Sequence, residues 1–258
     1  ALVDGSPKTW RMVEPDPSDR VRSAQLYGVD PDTMGRAAQM IVERDLVDHI
    51  DLNFGCPVPK VTRKGGGAAL PWKRDLLEDI LKAVVAGAER GSKLVGRHVP
   101  VTMKMRIGID DQHSTYMDAG IIAQRSGVAA VALHGRTQAQ YYAGKADWQP
   151  ITALKEAVSI PVMGNGDIFK GEDARAMMEQ TGCDAVVIGR GCQGRPWLFT
   201  DITSDLTGAG IPKMAPDLRT VAQIIREHAL LMTEHLGSEF DACRNMRKHI
   251  GRYLRGYK

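Results

Sequence analysis

The 258 residues predict an α/β barrel, and three observations predict it. Short apolar runs alternate with stretches of helical periodicity, the pattern of parallel strands joined by right-handed crossovers. The runs are short and apolar, as expected of strands covered on both faces. Two glycine-rich turns, MGNGDI and VIGRG, end the last two runs, and each precedes a helical stretch. A barrel of this kind takes about 250 residues.

Strands are predicted at 21–27, 49–54, 100–106, 129–134, 160–165 and 184–188. Helices are predicted between them at 32–45, 73–90, 116–126, 148–157 and 171–180. That makes six βα units, where a closed barrel has eight. Residues 1–20 lack periodicity and read as the middle of a longer chain, so about two units are expected before Ala1. The architecture is read as a (β/α)8 TIM barrel without its first one or two βα units, and a six-stranded doubly wound sheet is the alternative. After the last strand, 218–236 and 242–257 are both helical, with no strand between them. The segment TGAGIPKMAP, 207–216, holds two glycines and two prolines and marks a boundary. A barrel domain at 1–212 is therefore followed by a small helical domain at 213–258, incomplete at Lys258.

A 43% hydrophobic and 25% charged composition is that of an ordinary soluble globular protein. No run of about 18 apolar residues occurs, so no membrane span is expected, and the first residues lack the pattern of a signal peptide. Cys56, Cys183, Cys192 and Cys243 are widely spaced, which speaks against a zinc site and against a disulfide framework. A reducing cytoplasm, no metal and a monomer are expected. Charge is unevenly placed. Residues 244–258 carry six of the 34 Lys and Arg residues and no acid, which leaves 28 bases against 31 acids elsewhere. A basic tail on a mildly acidic body suggests a polyanionic partner.

Barrel enzymes place their chemistry at the C-terminal ends of strands. Those ends carry Gln25, Asn53 and Cys56, Lys104 and Arg106, His134 and Arg136, then Asn165-Gly166-Asp167 and Gly189-Arg190. A lysine among apolar neighbours, as in VTMKMR, is costly to bury without a partner, so Lys104 reads as a ligand-facing residue. Glycines before a helix let backbone N–H groups approach a phosphate, and Arg190 adds charge. A phosphate-bearing ligand follows, which alone does not separate FMN from a sugar phosphate. Cys56 stands apart. It lies between Gly55 and Pro57, and KVTRKGGGAALP follows, with Lys60, Arg63 and Lys64 to draw an anion. Its glycine triplet reads as mobile or as packed against a ligand. The other three cysteines read as small buried hydrophobes.

In this order and spacing, DLNFGCPVPKVTRKGGGAALP, VTMKMRIG, ALHGRT, GNGDI and GRGCQGRPWLF resemble the tRNA-dihydrouridine synthases, with GRGCQGRPWLF closest to the B-type enzymes. The RKH segment at 247–249 is similar to the end of that family's tRNA-binding domain. The resemblance implies an FMN-containing barrel that uses NADPH to reduce selected uridines of tRNA to 5,6-dihydrouridine. It matches Cys56 to the proton donor, and Asn53, Lys104 and Arg106 to positions around flavin and uracil. It matches Gln25 and His134 to FMN contacts, and Asn165, Gly166, Asp167, Gly189 and Arg190 to the flavin phosphate site. Arg136, Arg247, Lys248 and Arg252 are read as substrate contacts. The family's Pro-Met-x-Gly motif of the first strand is absent, and truncation is the reading that keeps every later motif intact.

The chemistry agrees with these roles. Reducing a C5–C6 double bond needs a hydride at one end and a proton at the other. A thiol with its ordinary pKa of about 8.5 is mostly protonated at neutral pH and suits the acid, while Asn53 and Arg106 suit the developing negative charge. Neighbouring Lys and Arg would favour thiolate, so the acid role requires those cations to face the ligand rather than the sulfur. In the tail, Arg244, Lys248, Arg252 and Arg255 share one helix face, and Met246, Ile250 and Leu254 are expected to face the core. The alternatives are a flavin barrel acting on a free pyrimidine, like dihydroorotate dehydrogenase, and a non-catalytic RNA-binding barrel.

Overall fold

The computed structural model describes residues 1–256. The chain runs through α1 (Pro7–Arg11), β1 (Ser23–Leu26), α2 (Pro31–Glu43), β2 (His49–Phe54), α3 (Pro59–Thr62) and α4 (Arg74–Val95). It continues through β3 (Val101–Arg106), α5 (Tyr116–Arg125), β4 (Ala130–His134), α6 (Gln149–Ala157), β5 (Val162–Asn165), α7 (Gly171–Thr181) and β6 (Ala185–Val187). Three helices follow: α8 (Leu198–Thr207), α9 (Leu218–Leu236) and α10 (Glu239–Tyr253). All strand pairs are parallel, and the order in the sheet is the order in the chain. A doubly wound sheet reverses its order at a switch point. Sequential order with alternating helices is TIM-barrel-like, and among the described residues it comprises the six expected strands.

Residues 1–166 and 177–187 form one compact unit, and 167–176 with 188–258 form a second. The expected boundary at 212–213 falls inside the second unit. In the first unit, strand alternation decides what is buried. Ile50, Leu52 and Phe54 of β2 and Met103 and Met105 of β3 are buried on one face, under the helices. Residues of opposite parity point to the other face. Helices α2 and α4 pack so closely that glycine is required: a Cβ on Gly87 would sit 2.1 Å from the Gly35 carbonyl oxygen.

The second unit has its own small core of Trp197, Val221 and Tyr253, with Ile224 and Ile225 against it. Asp217 caps α9 through the N–H of Thr220, and Ser238 caps α10 through that of Asp241. The expected core face of α10 needs correction. Met246 is buried, but Ile250 and Leu254 are 39% and 41% exposed, and Ala242 and Tyr253 are buried instead. A helix turns 3.6 residues per turn, so a strict spacing of four drifts off the buried stripe, whereas 242, 246 and 253 stay on it. Cys243 lies beside that stripe and is exposed, and Cys192 is half-buried; only Cys183 keeps the predicted burial. Helices α1, α3 and α8 were not predicted.

Gly87→Ala gains helix propensity of about 1 kcal/mol but drives a methyl group into backbone that cannot yield. A net loss of about 2 kcal/mol in unfolding free energy is expected in urea titration. An unchanged midpoint would show that α2 and α4 can separate freely.

Candidate active site

Register places the predicted residues in rows across the face of the sheet that the helices leave uncovered. Gln25 pairs with Asp51, and Asp51 with Thr102. One row higher, Asn53 pairs with Lys104, and Lys104 with Ala132. Above that, Arg106 pairs with His134, and His134 with Asn165. Parity alone therefore brings Gln25, Asn53, Lys104, Arg106, His134 and Asn165 to one face.

A chain of hydrogen bonds crosses this face. Ser23 Oγ lies 2.6 Å from His49 Nδ1, and His49 Nε2 lies 2.8 Å from Thr102 Oγ1. Thr102 donates to Asp51 Oδ1 at 2.8 Å, and Gln25 donates to Asp51 Oδ2 at 2.7 Å. Asn53 Nδ2 donates to Gln25 Oε1 at 3.0 Å. Asn53 Oδ1 then accepts from the backbone N–H groups of Gly55 and Cys56, each at 3.1 Å. The Cys56 carbonyl accepts from Ala68 at 3.0 Å. Gly67, at φ +56°, lies so close that a Cβ there would sit 2.5 Å from the Cys56 carbonyl oxygen. The glycine triplet is thus partly explained by packing against the cysteine's own backbone. Cys56 is half-buried and held at both its N–H and its C=O.

Two groups on this face stand without partners. Among the described residues, no hydrogen bond or ion pair engages the Lys104 ammonium. The side chain keeps some exposed surface, yet protein surrounds it at the longer range that governs ion solvation. Burial, and then the Arg106 charge, push its pKa down to about 8, while Asp51 opposes the shift. His134 is buried, and neither ring nitrogen has a hydrogen-bond partner. Burial, and then Lys104, Arg106 and Arg136, push its pKa down to about 3. The neighbouring Asn165 side chain opposes that shift, and its amide donates to the Val187 carbonyl at 2.6 Å. At neutral pH the site thus offers one neutral imidazole and one lysine that gives up its proton unusually easily.

The two arginines above them bind backbone. Arg106 donates to the carbonyls of Gly55, Thr137 and Tyr141, each at 2.9 Å, and lies 5.6 Å from the Tyr142 ring. It joins the loop after β2 to the loop after β4. Arg136 is buried and donates to the carbonyls of Ala143 and Gly144 at 3.0 and 2.8 Å. Gly166 closes β5 at φ +136°, where a Cβ would meet Ala146 at 2.6 Å. Trp148 donates to its carbonyl at 3.1 Å.

In the second unit, Asp167 adopts φ +57° and accepts from Arg190 at 3.1 Å. Gly189 has open space where a Cβ would point. Arg247, Lys248 and Arg252 are exposed on α10, as is Arg244, and Arg255 is exposed just past the helix end. Among the described residues no cluster suits a metal ion, and no helix is long and apolar enough to cross a membrane. Sequence reasoning missed His49, Asp51 and Thr102. The signal was present in HIDLNF, where polar residues at every second position mark one face as polar.

Comparison with known proteins bears on the chain as a whole. A dihydrouridine synthase family model matches residues 1–258. The chain is 54% identical over 258 residues to a probable tRNA-dihydrouridine synthase of Mycobacterium tuberculosis (strain ATCC 25618 / H37Rv), covering all of this chain and 64% of that protein. A probable tRNA-dihydrouridine synthase of Mycobacterium leprae is 53% identical over 258 residues, with all of this chain and 65% of that protein covered. The tRNA-dihydrouridine synthase B of Shewanella oneidensis is 40% identical over 261 residues, covering 98% of this chain and 77% of that protein. The chain therefore spans about 64% of the length of the mycobacterial relatives it matches.

A lysine whose folded pKa lies near 8, against 10.5 ordinarily, opposes folding while it is charged. That cost is full below pH 8 and fades as pH rises toward 10.5, because the unfolded chain then binds the extra proton. Lys104→Met is expected to stabilise the ligand-free protein by about 1–2 kcal/mol at pH 7. The gain should shrink steadily toward pH 10 in denaturant titrations. A gain independent of pH would locate the effect in packing rather than in charge.

Proposed function

The chain belongs to the dihydrouridine synthase family, and on that premise we propose that it reduces the C5–C6 bond of selected tRNA uridines with FMN and NADPH. The observation that carries this reading is the unpartnered pair on the uncovered face of the sheet, the Lys104 ammonium and the His134 ring, beside a fixed Cys56. A buried imidazole without a partner and a desolvated lysine are costly unless a ligand completes them. A flavin would fit that need, because its carbonyls and ring nitrogens can accept and donate hydrogen bonds.

FMN, with NADPH as its reductant, supplies the hydride chemistry when bound. Within the first unit, Lys104, His134, Gln25, Asn165 and Gly166 are the residues we assign to hold it. Within the second unit, we assign Asp167, Gly189 and Arg190 to a phosphate. Cys56 holds the proton destined for uracil C5, and its clamped backbone fixes where Sγ can point. Lys104 neutralises negative charge nearby, and an anion beside it would raise its lowered pKa. Arg106 keeps the Cys56 loop and the 137–141 loop in fixed relation by bonding both backbones, and its remaining charge favours an electron-rich base. Asn53 combines two roles, since its Oδ1 anchors Cys56 while it stands in the Lys104 row.

A uridine inside folded tRNA is stacked, so it must be flipped out at a cost of a few kcal/mol. Residues 213–258 are assigned to tRNA binding, where phosphate contacts offset that cost. Arg247, Lys248 and Arg252 share the exposed side of α10, opposite the buried Ala242 and Met246. A cytoplasmic monomer fits this reading.

Cys56→Ala should retain bound flavin and its reduction by NADPH but lose dihydrouridine formation by about 100-fold or more. The check is single-turnover assay on tRNA, with dihydrouridine quantified by mass spectrometry. Wild-type turnover in the variant would remove Cys56 from the acid role. Replacing Arg247, Lys248 and Arg252 together with Ser should weaken tRNA binding and reduce the log–log salt dependence by about two to three. An unchanged salt slope would move the RNA contact elsewhere.

A further inference from the structure

We infer that Asp51 is a positioning residue: it sets the direction of every hydrogen bond in the chain across the sheet, and thereby holds Asn53 and the Cys56 loop. The catalytic consequence rests on the proposed function, but the direction of the chain does not. A carboxylate only accepts hydrogen bonds. Gln25, 2.7 Å from Asp51 Oδ2, must therefore present its NH2 group there. Its Oε1 is left to accept from Asn53 Nδ2 at 3.0 Å. Asn53 in turn is left with Oδ1, the only part of its side chain able to accept from the N–H groups of Gly55 and Cys56 at 3.1 Å. Two amides in series are thus fixed between one acceptor at Asp51 and two backbone donors at the cysteine loop.

The same constraint runs the other way. Thr102 spends its hydroxyl proton on Asp51 Oδ1 at 2.8 Å. Its oxygen must then accept from His49 Nε2 at 2.8 Å, and in a neutral ring Nδ1 accepts from Ser23 at 2.6 Å. His49 therefore carries a proton on Nε2. Its pKa is lowered by burial, although Asp51 opposes the shift, in agreement with the neutral ring. Atom positions alone do not distinguish amide ends or imidazole tautomers. Here one carboxylate and two backbone N–H groups distinguish the amide ends, and the carboxylate places the imidazole proton on Nε2.

The two branches differ in what they tolerate. The Gln25–Asn53 branch ends on two backbone N–H groups and cannot be reversed without setting donor against donor. The Thr102–His49–Ser23 branch contains only groups that donate or accept, so it can reverse. Asp51→Asn keeps the shape but replaces one acceptor by a donor. The donor should turn toward Thr102, and the His49 proton should move from Nε2 to Nδ1. Asp51→Leu removes the anchor of both branches.

Nitrogen-15 imidazole spectra of the flavin-loaded protein at pH 7.5 should show His49 with Nε2–H in the wild type and Nδ1–H in Asp51→Asn. Amide hydrogen exchange at Gly55 and Cys56 should rise about tenfold in Asp51→Leu, with exchange in the helices unchanged. Both variants should lower kcat for dihydrouridine formation while KM for tRNA stays near wild type. An unchanged His49 tautomer in Asp51→Asn overturns the inference, as does unchanged loop exchange in Asp51→Leu. If wild-type protein forms no dihydrouridine at all, the proposed function fails, and the spectra still decide the role of Asp51.

Discussion

The constraint on which the first unit depends is the register of β2 against β3 and of β3 against β4. Side chains alternate along a strand with a period of two, so one register decides core and site together. With Asn53 opposite Lys104, and Arg106 opposite His134, the apolar residues Leu52, Met103 and Val131 share the helix-covered face. A slip of one residue would bury Lys104 and Asn53 under the helices and expose Met103. The apolar face cannot be satisfied without the polar face being assembled. Hydrophobic burial therefore positions the candidate site as well.

What it assembles is held at some cost to stability. A lysine with its pKa lowered to about 8 and an imidazole with no partner are both unfavourable in a ligand-free protein. Nearby groups show the contrasting treatment. Arg106 and Arg136 are also buried, yet several backbone carbonyls receive their donors. Asp51 is shared by two donors. Hydrogen bonding of Arg106, Arg136 and Asp51 to their neighbours, against none for the Lys104 ammonium and the His134 ring nitrogens, separates two kinds of polar group on this face. Perturbed titration at a functional site and ordinary hydrogen bonding around it are what preorganisation requires.

Much of this was legible in the chain. All six strands were expected within a few residues of where they lie, and their parallel, sequential order followed from regular βα alternation. The candidate site residues follow from the rule that strand ends carry function in this architecture, and register brings six of them to one face. The connections were less legible. Helix α1 lies in a segment without periodicity, and α3 spans only Pro59–Thr62, too short to show any. The buried stripe of α10 was misplaced by a spacing of four where the helix wanted alternating fours and threes. Arg106 and Arg136 read as ligand-facing cations from their position alone. Which carbonyls a guanidinium reaches depends on loop conformation, which composition does not encode.

Asp51 was overlooked for a related reason. Functional residues were sought at the ends of strands, and Asp51 lies in the middle of one. Mid-strand polar residues on an uncovered face have no short route to water once a ligand closes over them, so they must satisfy one another. A row with a single acceptor-only member has few consistent arrangements. The Asp-x-Asn spacing of DLNFGCP therefore places the acceptor one pleat below the amide it orients, and that amide one turn before the cysteine it holds. The motif is a short lever whose fixed end is Asp51 and whose working end is the Cys56 backbone.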